Sequence, residues 1–251
     1  MATYSPLATA IISLATASFE REGFGVPAFF APHRYTEGRT LIVTAESYLT
    51  ELPTGSAPYA AANTAFAQPN GLSQLYICRV EADAEITLPE APAQNDTFTI
   101  TIEVNDGDKI EVSYTEATAS PSQEDVLNGI DTAIAGNVDV SAHITTAVTG
   151  TGASAKLTIS PTAAGDFFIV SDLTKLDETY VATETAADAL TAAIEESDGF
   201  YAVTTSDKAE SWLEAMAAAV NGVRKQFWTT VDEVAALTAL VDPAPETLGK
   251  L

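Results

Sequence analysis

The residues able to support catalysis are few and lie far apart along the chain. Its two histidines, His33 and His143, are about 110 positions apart, and its single cysteine, Cys78, lies in an apolar segment. Nucleophilic catalysis and zinc binding need such groups to converge, and no Cys, His or carboxylate cluster has zinc-ligand spacing. Among apolar neighbours Cys78 is expected to be inert packing. The sequence therefore predicts no enzyme, no catalytic residues, no cofactor and no metal.

Two short segments resemble ligand-binding loops without completing the pattern. Asp106-Gly107-Asp108 begins like a calcium loop, but the ordered ligands of an EF-hand, ending in a glutamate, do not follow. Thr149-Gly150-Thr151-Gly152 lacks the Lys-Ser/Thr that follows in a phosphate loop. We interpret the first segment as a hairpin turn and the second as a flexible turn.

Charge is distributed unevenly along the 251 residues. The formal net charge is −24, with 35 acidic and 11 basic side chains. Residues 1–80 carry four basic and five acidic groups (net −1), residues 81–180 three and eighteen (net −15), and residues 181–251 four and twelve (net −8). Such a surface repels phosphates and anionic lipids, so neither nucleic acid nor a membrane is an expected partner. The acidic middle is interpreted as a solubilising surface, with cation binding as the alternative.

Targeting signals are not evident in the sequence. The N-terminal Met1-Ala2-Thr3-Tyr4-Ser5-Pro6 has no basic stretch before its apolar residues, so no signal peptide is predicted. Apolar runs are broken well before the roughly 20 residues that span a bilayer. A single cysteine excludes an intrachain disulfide and fits a reducing compartment. We expect a soluble protein made in a cytoplasm.

The secondary-structure pattern divides the chain into three parts. Residues 1–82 and 179–251 alternate helices with short apolar strands, whereas residues 83–178 are rich in strands and contain one helix, opening at Ser122. The predicted fold class is mixed α+β and α/β. A discontinuous α/β core domain (1–82 with an N-terminal arm, and 179–251) is interrupted by an acidic, β-rich inserted domain (83–178) carrying one helix.

The clearest local signal is a hairpin in the middle part. Thr97–Val104 alternates apolar and polar residues with period two and meets a second alternating run, 109–114, across Asn105-Asp106-Gly107-Asp108. Asp-Gly tolerates the positive φ angles of tight hairpin turns, so the turn is placed there.

Several stretches resemble one known family in their order and spacing. They are Gly23-Phe24-Gly25-Val26-Pro27 before an apolar strand, Pro58-Tyr59-Ala60-Ala61-Ala62 leading to Leu75-Tyr76-Ile77-Cys78-Arg79, and Gly199-Phe200-Tyr201-Ala202-Val203 followed by a helix and Lys225-Gln226-Phe227-Trp228. These parts, about half of the chain, resemble the sheath proteins of contractile bacteriophage tails. The middle part is similar, in a generic way, to the variable domain often inserted in such sheaths.

The resemblance implies a structural virion protein. A tail sheath subunit polymerises in the bacterial cytoplasm as a helical or ring-shaped homo-oligomer around the tail tube protein. It meets baseplate and tail terminator proteins, and contracts to drive genome ejection. Extended arms add strands to neighbouring subunits' sheets, and here Leu7, Ile11 and Ile12 are the expected inter-subunit arm residues. Family members usually continue beyond Leu251 with a C-terminal arm, so this chain is either a short version or a portion of a longer protein.

A second hypothesis belongs to another functional class. The β-rich middle part is also compatible with a phage surface or baseplate decoration, an adhesin module that binds a host ligand. Binding of host glycans or cells distinguishes this hypothesis from the sheath hypothesis.

Overall fold

The structure, a computed structural model, describes residues 26–68 and 72–229. The strands are β1 (Pro27–Pro32), β2 (Thr40–Val43), β3 (Leu75–Val80), β4 (Ala82–Thr87), β5 (Thr97–Val104), β6 (Ile110–Thr115), β7 (Ile144–Thr149), β8 (Lys156–Pro161), β9 (Phe168–Thr174), β10 (Asp177–Ala182), β11 (Ala202–Thr205) and β12 (Gln226–Phe227). The helices are α1 (Tyr48–Glu51), α2 (Ala57–Phe66), α3 (Gln123–Ala135), α4 (Val138–Ser141), α5 (Ala186–Glu196) and α6 (Glu210–Asn221). The predicted mixture of helices and strands is confirmed. The arm residues Leu7, Ile11 and Ile12 and a helix predicted over 232–241 lie outside the described residues.

A five-stranded sheet joins the two ends of the described chain. Its order is β12-β11-β1-β3-β2, with β2 antiparallel to β3 and the other neighbours parallel. Its strands come from residues 27–80 and 202–227. All six residues of β3 are buried, as expected for an internal parallel strand covered on both faces.

Helices cover both faces of this sheet. On one face α5 and α6 pack over β1 and β3 around Phe30, Phe200 and Met216, all at most 2% exposed. On the other face α2 packs over Ile77 and its neighbours. Helix α2 begins as predicted, with a proline in its first turn and the Ser56 hydroxyl accepting from Tyr59 N–H.

The strands between residues 82 and 182 form two further sheets. One has the order β10-β4-β8-β7 and the other β6-β5-β9, and both contribute to a single apolar core with α3. A capping box between Ser122 and Asp125 starts α3 at the predicted residue. Gly129 allows α3 to approach β6 closely, since a Cβ there would lie 2.2 Å from the Tyr114 ring.

Three predicted details of this region need correction. The hairpin turn lies one residue earlier than expected: Asn105 and Asp106 adopt positive φ angles of 50° and 55°, and Gly107 N–H donates to Val104. A second helix, α4, follows α3. Asn137, a residue type expected after the end of a helix, accepts with its side chain from two backbone N–H groups and so begins α4. The range 83–178 ends inside β10, which pairs with β4 along its whole length.

Candidate functional site

Five charged side chains meet where the chain leaves the five-stranded sheet and where it returns. The Glu81 carboxylate contacts Arg34, Arg79 at 2.9 Å and Arg39 at 3.1 Å. Glu184 accepts from Arg39 at 2.6 Å and from Glu81 N–H at 2.6 Å. The side chains of Arg34 and Arg79 are only 7% and 4% exposed, so their charges depend on these carboxylates. We call these five residues the junction cluster.

His33 lies beside the junction cluster and is uncharged. It is fully buried, its ring stacks on Tyr35 at 4.8 Å, and its Nδ1 accepts from Tyr35 N–H. Burial, together with the charges of Arg79 and Arg34, lowers the His33 pKa to about 3. A neutral imidazole near the charges of Arg79 and Arg34 packs without adding to their repulsion, which indicates a structural role for His33.

The junction cluster is not evident from the sequence. The residue types of segment 34–39 predict a polar turn, whereas Arg34 and Arg39 bind carboxylates that follow β3 and β10 in the sequence. The available signal was Arg79 inside the otherwise apolar β3, because a charge in a buried strand requires a partner.

A cleft of about 1500 Å³ separates the loops after β1 and β11 from strands β9 and β10. Its wall includes Tyr35, Glu178 and Tyr180, whose two tyrosine rings meet edge to face at 5.4 Å. Burial raises the Glu178 pKa to about 7, although the neighbouring Tyr180 hydroxyl favours the ionised form. No lysine or arginine of the described residues pairs with this largely buried carboxyl group, which therefore titrates near neutral pH.

The second histidine belongs to a separate polar group. His143 Nδ1 lies 3.0 Å from Asp166 Oδ1, and Asn105 Nδ2 donates to the same carboxylate at 2.9 Å. Although burial opposes it, hydrogen bonds from Asn105 and His143 lower the Asp166 pKa. The group ties the β5–β6 turn to the segments before β7 and β9, a structural role.

Cys78 and the two loops that resembled ligand sites occupy a buried strand and two turn regions. Cys78 is fully buried in β3, and burial raises its thiol pKa, which agrees with inert packing. Asp106-Gly107-Asp108 belongs to the hairpin turn region, and Thr149-Gly150-Thr151-Gly152 is a turn with positive φ at Gly150 and Gly152. Across residues 26–68 and 72–229, no group of three or more His, Cys, Asp or Glu residues could hold a metal ion.

The β2 edge of the five-stranded sheet is open along part of its length. Arg79 N–H donates to the Arg39 carbonyl, so residues 39 and 79 form a hydrogen-bonded pair. Such pairs occur at every second residue of an antiparallel ladder, so the backbone groups of Thr40 and Ile42 point away from β3. Glu196, expected to be solvated, instead accepts from Arg39 N–H at 2.5 Å and Thr40 N–H at 3.2 Å and closes that end. Ile42 is 46% exposed, and no strand of the described chain pairs with its outer side.

The opposite edge is formed by β12, which is shorter than the predicted strand over 225–230. Gln226 and Trp228 donate to Tyr201 and Val203, so the Phe227 backbone points outward. Trp228 is 65% exposed beside this edge. Within residues 26–68 and 72–229, the outer sides of β12 and of β2 therefore have no strand partner.

No family model matches the chain, and no curated protein matches it. Within the described ranges, every helix is too short or too polar to span a bilayer.

Proposed function

We propose that this chain is a tail sheath subunit, a structural virion protein that polymerises around a phage tail tube and contracts to drive genome delivery. The observation that carries the proposal is the five-stranded sheet, whose two outer strands, β2 and β12, have no strand partner among the described residues. A sheet with two such edges can accept a strand from a neighbouring subunit, which links copies without any chemical step.

The donor in this proposal is the N-terminal arm. Residues 9–18, TAIISLATAS, carry no charge and include four β-branched residues, which favour extended structure. Ten extended residues reach about 33 Å, more than the four-residue β2 needs. Leu7, Ile11 and Ile12 would supply the apolar side chains that fix the arm on a neighbour.

The charge distribution supports an assembly with the middle part outside. Residues 1–80 have a net charge of only −1 and can pack against other copies, whereas residues 81–180 carry −15 and repel one another when crowded. The junction cluster ties these two parts together through buried ion pairs. A subunit can then reorient as a rigid body during contraction while the arms preserve connectivity.

Deletion of residues 1–18 tests the arm. We expect the truncated protein to fold and to remain unassembled, because the five-stranded sheet keeps its strands and loses only the donor. Circular dichroism checks the fold, and electron microscopy at equal concentration checks assembly against the full chain. Tubes from the truncated protein would exclude the arm as the link.

The cleft beside Tyr35 favours one alternative, a decoration or adhesin module that binds a host ligand. Its volume of about 1500 Å³ is large enough for a small ligand or a short glycan. A glycan array probed with the full chain tests this alternative, and substitution of Tyr180 to alanine should abolish any binding that the cleft provides.

A further inference from the structure

Strand β7 forms one edge of the sheet β10-β4-β8-β7. Its register with β8 runs without interruption from Ile144↔Pro161 to Thr149↔Lys156, and Thr162 N–H donates to His143. His143 and Thr162 thus form a hydrogen-bonded pair, and such pairs occur at every second residue of an antiparallel ladder. The backbone groups of Ile144, Thr146 and Val148 therefore point away from β8. Nothing in the described part of the chain hydrogen-bonds to these outward N–H and C=O groups.

The other edges of the two middle sheets are protected against pairing, whereas β7 is not. Strand β10 contains Asp177 and Glu178, and β6 contains Glu111. Strand β9 contains Asp172 with a positive φ of 49°, and its register with β5 shifts between Thr99 and Thr101. Charges and irregularities of this kind prevent unwanted strand addition. Strand β7, with the sequence ITTAVT, has no charge, no proline and no positive φ angle.

The outward face next to this edge is also neutral. Thr145, Ala147 and Thr149 are exposed on β7, and they are followed on β8 by Thr158 and Ser160. Lys156 is the one charged residue on this face of the two strands, and it is paired with Glu85 on β4. In a region with a net charge of −15, this is a surface that a second copy can approach without strong repulsion.

We propose that β7 pairs antiparallel with the β7 of a second copy and joins two four-stranded sheets into one of eight strands. Only residues with outward backbone groups can form the hydrogen-bonded pairs, so even-numbered residues must face even-numbered residues. The register that pairs all three residues with outward backbone groups places Thr146 opposite Thr146, Ile144 opposite Val148 and Thr145 opposite Ala147. Pairs of β-branched residues stabilise such a ladder.

A second copy fits this edge better than a charged partner does. The strand sequence is uncharged and pairs with itself without like charges facing directly. The Asp131 carboxylate accepts from the Thr146 hydroxyl. Because the two Thr146 residues would face each other, the two Asp131 carboxylates would come close and repel. Raised salt screens this repulsion and should strengthen the contact. The inference is independent of the sheath proposal, because it uses neither the arm nor the five-stranded sheet.

Cysteine crosslinking tests the contact and its register. Thr145→Cys and Ala147→Cys proteins are mixed and oxidised at raised salt, because residues 145 and 147 of opposite copies would lie about 4.5 Å apart between Cα atoms, close enough for a disulfide. The wild-type thiol, Cys78, is buried and does not interfere. We expect the mixture to form disulfide-linked dimers several times faster than either variant alone.

Thr179→Cys, on the exposed face of β10, is the matched control for random collisions. It should form disulfide-linked dimers only at the slow background rate of random collisions. Faster crosslinking of either single variant than of the mixture would overturn the register. Rates equal to those of Thr179→Cys in every combination would overturn the contact itself.

Discussion

Replacing Glu81 with glutamine is expected to destabilise the protein by about 3 kcal/mol or more, because removal of one partner from a buried ion pair leaves the other charge uncompensated. Glu81 contacts three arginines, and two of them, Arg34 and Arg79, have side chains that are at most 7% exposed. Glutamine keeps the shape of the side chain and removes its charge. Urea unfolding at neutral pH, followed by circular dichroism, measures the change.

Glu85→Gln is the control for this experiment. Glu85 lies on the adjacent strand β4 and pairs with Lys156 at 2.6 Å, but the lysine side chain is 47% exposed. An exposed pair of this kind contributes less than about 1 kcal/mol. Equal losses in the two variants would mean that the junction cluster is not the electrostatic anchor between the five-stranded sheet and the middle sheets.

Replacing Glu178 with glutamine is expected to stabilise the protein above neutral pH. Burial raises the Glu178 pKa from 4.5 to about 7, so the folded state keeps a proton that the unfolded state releases between these values. Stability from this group is complete below about pH 4.5, falls as the pH rises towards 7 and then levels off. The difference of about 2.5 pKa units corresponds to about 3 kcal/mol at pH 8.

The measurement is the free energy of unfolding of both proteins between pH 5 and pH 9. The free energy of unfolding of the variant should increase relative to that of the wild type as the pH rises. Above pH 8 the difference between the two proteins should be constant. Asp177→Asn, an exposed neighbour on the same strand, serves as the control and should follow the wild-type curve. A constant offset between Glu178→Gln and wild type across this range would show that the carboxyl group is accessible to water.

Local sequence patterns predicted α3 and the β5–β6 hairpin, but they did not predict α4. The alternation along Thr97–Val104 and the N-cap residue Ser122 are signals contained in one segment, and both led to the right element. In the sequence of α6, the apolar residues from Trp212 onwards recur at offsets 0, 1, 4, 5 and 8, a spacing that predicts one buried helix face. Leu213, Met216, Ala217 and Val220 are indeed buried. Trp212 is partly buried and donates to Thr205.

Strands β4 and β10 were not predicted, and the reason is compositional. In β4 the buried residues are Ala82, Ala84 and Ile86, alternating with Asp83, Glu85 and Thr87, so two of the three inward positions are small. In β10 the inward side holds Glu178 and Tyr180. Because one of these inward residues is a glutamate, the sequence lacks the alternation of apolar and polar residues that predicts a strand. Both strands depend on their mutual pairing, which is non-local and invisible in either segment alone.

The junction cluster and the cleft were beyond sequence analysis for a similar reason. Arg39 binds Glu184, which is 145 positions away in the chain, and the pairing exists only because β3 and β10 end side by side. Tyr35 and Tyr180 meet across the same boundary. Residue types indicated a chain without catalytic groups, but they could not show which charges are buried together.

Negative-stain electron microscopy of the full-length protein at high concentration, at low salt and at salt raised to screen the net charge of −24, tests the sheath proposal most directly. We predict hollow tubes or stacked rings that become more abundant as salt is raised, because screening removes the repulsion between acidic middle parts. Single particles at every salt concentration, with the protein folded, would contradict the proposal.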